Sequence, residues 1–145
     1  MRHVKAWCDG SSWGSSNPKK AKAGIGVVIL HEGKRIEYGR SAGKADCNRA
    51  EILAIREVLK VLLARDEFCH DLTVTIYTDS EYARMVLSKK GTSVENWKLV
   101  EDVKATMKEF GRIHLRWCKG HAGHKENVRA DYLAGVGSGK YPRIG

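Results

Sequence analysis

Val4-Lys5-Ala6-Trp7-Cys8-Asp9-Gly10-Ser11-Ser12 opens the ordered part of the chain and decides how the rest is read. Apolar and polar side chains alternate from Val4 to Cys8, the period of a half-buried strand. Asp9-Gly10-Ser11-Ser12 then has the composition of a turn. Downstream, Ser11 to Gly24 reads as a loop rich in Gly, Ser and Lys, with Pro18 inside it. Ile25–Leu30 is a β-branched run, and His31-Glu32-Gly33-Lys34 is a hairpin signal leading into Ile36–Tyr38. Three leading strands, antiparallel to one another, are therefore expected.

Beyond them the periodicity changes. Asn48 is placed to cap a helix reaching Ala64, with Ile55, Val58, Leu59 and Leu62 as its buried stripe. Leu72–Tyr77 reads as a fourth strand, ending at Thr78-Asp79-Ser80, where Ser80 can cap a short helix to Leu87. Lys89 to Ser93 breaks that helix, another follows from Glu95 to Glu109, and Ile113–Cys118 is a fifth strand. After a Gly120–His124 turn, Glu126–Ala134 is helical, and 135–145 reads as a flexible glycine-rich tail. The expectation is a single α/β domain over residues 1–145, with a five-stranded mixed sheet flanked by helices.

Composition narrows the function. The chain has 145 residues, 26 Lys and Arg against 17 Asp and Glu, and a formal net charge of +9. That excess favours a polyanionic partner: nucleic acid, or an anionic membrane. No basic amphipathic helix supports the membrane, and no apolar run approaches the roughly 20 residues of a membrane span. The polar start at Met1-Arg2-His3 is unlike a secretory signal, so the cytoplasm is the default. Cys8, Cys47, Cys69 and Cys118 form no Cys-x-x-Cys pair and read as reduced thiols. Cys118, His121 and His124 resemble a zinc patch but lack a fourth ligand nearby.

Four acids sit where a purely structural acid is awkward. Asp9 and Asp79 end the first and fourth strands, the place where open α/β sheets build ligand sites. Glu51 heads the apolar stripe of the first long helix, and Asp131 lies among Val128, Leu133 and Ala134. Asp9 and Asp79 also suit turns or caps, and Asp131 suits a helix surface. Buried together, however, such carboxylates must be neutralised, paired or bound to a metal, with Mg²⁺ the natural hard cation.

Asp9-Gly10-Ser11, Asn48-Arg49-Ala50-Glu51, Thr78-Asp79-Ser80, and Gly120-His121-Ala122-Gly123-His124 with Asn127 and Ala130-Asp131 occur in that order. Together they resemble the ordered motifs of type 1 ribonuclease H, over Val4 to Ala134. The resemblance implies a ribonuclease H-like fold and an endoribonuclease that hydrolyses the RNA strand of RNA–DNA hybrids. It implies that Asp9, Glu51, Asp79 and Asp131 hold two Mg²⁺ ions, with Mn²⁺ able to substitute, and that the products carry 5′-phosphate and 3′-hydroxyl ends. It also implies proton transfer or product release for His121, a structural role for His124 and Asn127, contacts to the RNA through Gly10 and Ser11, and a DNA contact through Asn48. A monomer is expected.

The chain departs from the family pattern in places. Only Lys89 to Ser93 separates two helices where many members carry a long basic handle. Trp97 accordingly reads as a core tryptophan. Lys19 and Lys20, with Lys22 and Trp13, offer a substitute substrate contact or a plain solvated loop. Asp46 and Cys47 replace small polar residues that grip a DNA phosphate, and Ser15 replaces a common asparagine. Two other readings stay open: a non-catalytic hybrid- or duplex-RNA-binding module, and a ribonuclease H domain working with a reverse transcriptase.

Overall fold

The computed structural model describes residues 2–88, 95–119 and 124–142. Strands β1 (Arg2–Trp13), β2 (Lys22–His31) and β3 (Lys34–Lys44) lead into helix α1 (Cys47–Arg65). A short 3₁₀ turn (Cys69–Asp71) precedes β4 (Leu72–Thr78), followed by α2 (Glu81–Ser88), α3 (Trp97–Met107), β5 (Arg112–Trp117) and α4 (Lys125–Ser138). The sheet runs β3-β2-β1-β4-β5. β1 pairs antiparallel with β2 and β2 with β3, while β1–β4 and β4–β5 are parallel. This is the expected five-stranded mixed sheet.

The parallel register places Trp7 opposite Tyr77. Asp9 and Asp79 each lie two residues further on. Asp79 is just beyond the end of β4, and Asp9 is not at the end of β1 as expected but inside it, because the strand continues past its pairing with β4 and stays paired with β2 as far as Trp13. One face of the sheet is covered by α1, whose Ile52, Ile55, Leu59 and Leu62 are fully buried with Val4, Ala6, Val27 and Ile76. The other face takes α4 over β1, β2 and β3, where Ala130 and Leu133 pack with Val28. α4 comes close because glycines line its track: a Cβ at Gly26 would fall on the Ala130 carbonyl, and one at Gly39 on the Leu133 carbonyl. Gly10 makes the same allowance for the backbone of Ala50 and Glu51. At the opposite end of β1, Arg2 joins Asp66 (2.8 Å), Glu32 (2.7 Å) and Asp71 (3.3 Å), and His31 joins Asp66 (2.9 Å).

Several boundaries differ from expectation. α1 starts earlier because Asp46, not Asn48, caps it, accepting the Arg49 N–H at 2.8 Å. The expected loop from Ser11 begins as strand, since Ser11, Ser12 and Trp13 pair with Gly24, Ala23 and Lys22. The expected tail begins inside α4. Gly135 and Gly137 lie within the helix, and they are glycines because a Cβ there would meet the Tyr141 ring and the Arg40 backbone. The helix ends at Gly139, whose φ of 83° is the left-handed cap that glycine favours. Lys140 then donates back to the Gly135 carbonyl (2.9 Å), and Tyr141 stacks on Tyr132 at 5.9 Å. The expected Lys89–Ser93 break and most of the Gly120–His124 turn lie outside the described residues. No helix among the described residues is long and apolar enough to cross a membrane.

Candidate active site

Three of the four singled-out acids meet at the upper edge of the sheet. Asp9 from β1, Glu51 from α1 and Asp79 beyond β4 bring carboxylate oxygens within 4.8 Å of one another. Asp9 is 3% exposed and Glu51 9%. Asp131 on α4 reaches the Asp9 carboxyl from the other side of the sheet. The glycine track under α4 and the close approach at Gly10 thus set how near the two helix-borne acids come to the strand-borne pair.

Glu51 is held from two sides. The Gly10 N–H donates to its Oε1 at 2.8 Å, and the buried Thr78 hydroxyl also bonds its carboxylate. Its other oxygen, Oε2, is buried without a hydrogen-bond partner. Burial, then the Glu51 charge, push the Asp9 carboxyl far above the ordinary carboxylate range. Burial pushes Glu51 up to about 7, aided by the Asp79 charge and opposed by its bond to Asp9. Among the described residues no ion pair reaches any of the four acids. A set of hard oxygens with an orphaned buried acceptor and no basic neighbour fits a divalent cation.

The remaining expected residues are distributed as follows. Ser11 is half-buried beside Ser138 (Oγ–Oγ 3.5 Å). Asn48 is exposed in the first turn of α1 and lines a hollow of about 320 Å³ with Ser12, Ser15, Ser16, Asp46 and Cys47. Lys19 and Lys20 are exposed in the turn between β1 and β2. Trp13 is anchored, its indole donating to the Ser138 carbonyl at 2.8 Å with Lys22 over its ring. His121 lies outside the described residues; His124 stands at the start of α4 and Asn127 is buried. The reading of Trp97 as a core tryptophan is overturned. It is 51% exposed at the first position of α3, where Asn96, not the indole, is buried.

Two contributors escaped the sequence reading. Thr78 braces Glu51, and Trp117 donates its indole N–H to the Asp79 carbonyl at 3.2 Å. The Thr78-Asp79-Ser80 motif marked the first as a position but carried no sign of its partner. Nothing local to β5 pointed to the second.

A mixed α/β sheet with acids just past the pairing of two adjacent parallel strands, joined by acids from helices on both faces, defines an α/β protein with an acid-lined site of the kind that could hold a cation. The RNase H family model matches residues 1–138. The chain is 34% identical to a ribonuclease H of Agrobacterium fabrum over 157 aligned positions, covering 99% of both chains. Its fold matches ribonuclease H1 of the halophilic archaeon Halobacterium salinarum, with a TM-score of 0.77 and 21% identity over 96% of this chain and 99% of that one. It also matches a compost-derived ribonuclease H1 solved in complex with an RNA/DNA hybrid, with a TM-score of 0.73 and 23% identity over 94% and 97%. The chain belongs to the RNase H family, in its type 1 form.

Proposed function

We propose that this protein is an endoribonuclease that hydrolyses the RNA strand of RNA–DNA hybrids, acting as a single-domain monomer. Family membership supports the reaction class, and one observation carries the chemistry: a buried carboxylate cluster with an unpartnered Glu51 oxygen and no counter-cation among the described residues. Asp9, Glu51, Asp79 and Asp131 would together hold two Mg²⁺ ions. Bound there, divalent ions supply an activated water and neutralise charge on the leaving 3′ oxygen, giving 5′-phosphate and 3′-hydroxyl ends.

The protein's own part is positioning. The Gly10 N–H and Thr78 hydroxyl fix the Glu51 carboxylate before substrate arrives. Backbone groups at Gly10 and Ser11 lie beside Glu51, where a 2′-hydroxyl would distinguish RNA from DNA. Asn48 and the serines of the adjoining hollow face the DNA strand, and His121 serves proton transfer or product release. Four free thiols suit a reducing compartment, and we place the enzyme in the cytoplasm.

Cleavage of labelled hybrid, duplex RNA and duplex DNA, with Mg²⁺ or EDTA, tests this reading. Internal cuts confined to the RNA of the hybrid are expected, and both EDTA and Asp9→Asn should abolish them. A wild-type protein that binds hybrid but cuts nothing in Mg²⁺ or Mn²⁺ would instead be a binding module.

A further inference from the structure

α4 lies over β1, β2 and β3, and α2, which touches β4 and β5, buries Ala83, Val86 and Leu87 in the core on the α1 side, leaving the α4-side face of β4 and β5 without a helix among the described residues. By the two-residue alternation of strands, this open face carries Lys5 and Trp7 of β1, Tyr77 of β4, and Arg112, His114 and Arg116 of β5. The register sets them in rows: Lys5, Thr75 and His114 in one, Trp7, Tyr77 and Arg116 in the next. Trp7 and Tyr77 stack at 5.1 Å with only 14° between their planes. Tyr77 and Arg116 also line a hollow of about 400 Å³ that wraps round the edge of β5 to Leu115 and to Arg84 of α2. Lys5, Arg112 and Arg116 are exposed, and among the described residues none is in an ion pair. Glu37, on the same side of β3, is held by Arg35 (2.9 Å) and Arg129 (3.0 Å).

These rows lead straight to the acids, since Asp9 and Asp79 lie two residues, about 7 Å, beyond Trp7 and Tyr77. A stacked aromatic pair flanked by uncompensated cations on an open sheet suits a chain of bases and phosphates whose bases are free to stack. A duplex keeps its bases inside, and a lipid headgroup has no use for the aromatic pair. We propose that the open β1–β4–β5 face binds single-stranded nucleic acid, holding the unpaired strand that continues from a hybrid past the carboxylates. It rests on the ribonuclease reading only for that continuity.

The test is fluorescence anisotropy in EDTA with a short labelled single strand. The proteins compared are wild type, the double variant Lys5→Glu/Arg112→Glu, and Tyr77→Leu, each checked for an unchanged melting transition. Tyr77→Leu should weaken binding about tenfold, the loss of one stacked base. The double variant should flatten the plot of log K against log salt by about 0.7 for each phosphate it no longer neutralises. In Mg²⁺ it should raise KM for a hybrid bearing a single-stranded extension and cut a blunt hybrid as wild type does. Unchanged single-strand binding, or an equal loss on blunt hybrid, overturns the proposal. So does binding of phosphatidylserine vesicles without binding of single strands. If wild type cuts no hybrid at all, the ribonuclease reading fails, while the EDTA measurement still decides this one.

Discussion

Glu51 concentrates the physical tension of the site, because its neighbours are acids and its Oε2 has no donor. Burial pushes its carboxyl up to about 7, against an ordinary value of 4.5. A carboxyl raised on folding contributes its stability in acid and loses it as pH rises from about 4.5 through 7. Glu51→Gln removes that loss while keeping an acceptor for the Gly10 N–H. In EDTA at pH 8 the variant should therefore be more stable than wild type, by on the order of 2 kcal/mol, with little difference at pH 4. Denaturant titrations at the two pH values check this, and adding Mg²⁺ should stabilise wild type more than the variant. Asp46 presents the opposite case. Its carboxylate is engaged as the cap of α1 yet stands in the hollow beside Asn48. Asp46→Ser keeps the cap to within a few tenths of a kcal/mol and removes a charge that repels phosphate, so KM for hybrid should fall at low salt.

Among the elements, α4 shows how packing governs chemistry. It carries Asp131, and its distance from the sheet is set by Gly26 and Gly39. Gly26→Val should cost about 1–3 kcal/mol by overpacking and lower kcat, since the helix must move outward and take Asp131 with it. Thermal melting and steady-state cleavage of one preparation test both halves. The sheet and the acids were legible because alternation, turn residues and spaced motifs are local signals. The end of α4 was not. Gly135 and Gly137 read as breakers, and only the backbone of Arg40 and the ring of Tyr141 show why glycine is required inside a helix there. Trp97 misled for a related reason: its apolar neighbours Leu99 and Val100 are buried, but the position heading the helix faces water.

At the scale of the whole molecule, the proposed function assigns affinity to the +9 net charge and chemistry to the four acids. Hybrid affinity should fall steeply with salt, log K declining by about 0.7–0.9 per neutralised phosphate against log salt. kcat at saturating hybrid should change little over the same range. Filter binding in EDTA and cleavage in Mg²⁺, each followed across salt concentrations, separate the two. A slope near zero would mean that the basic surface plays no part in substrate binding.

The acids of the site are drawn from opposite ends of the chain, Asp9 from the first strand and Asp131 from the last helix. During synthesis, most of this domain can therefore emerge without assembling a complete set of four. Only when α4 has emerged and settled on β1, β2 and β3 does the last acid arrive. A fragment that stops short of that helix lacks Asp131 and is expected to leave RNA–DNA hybrid uncut.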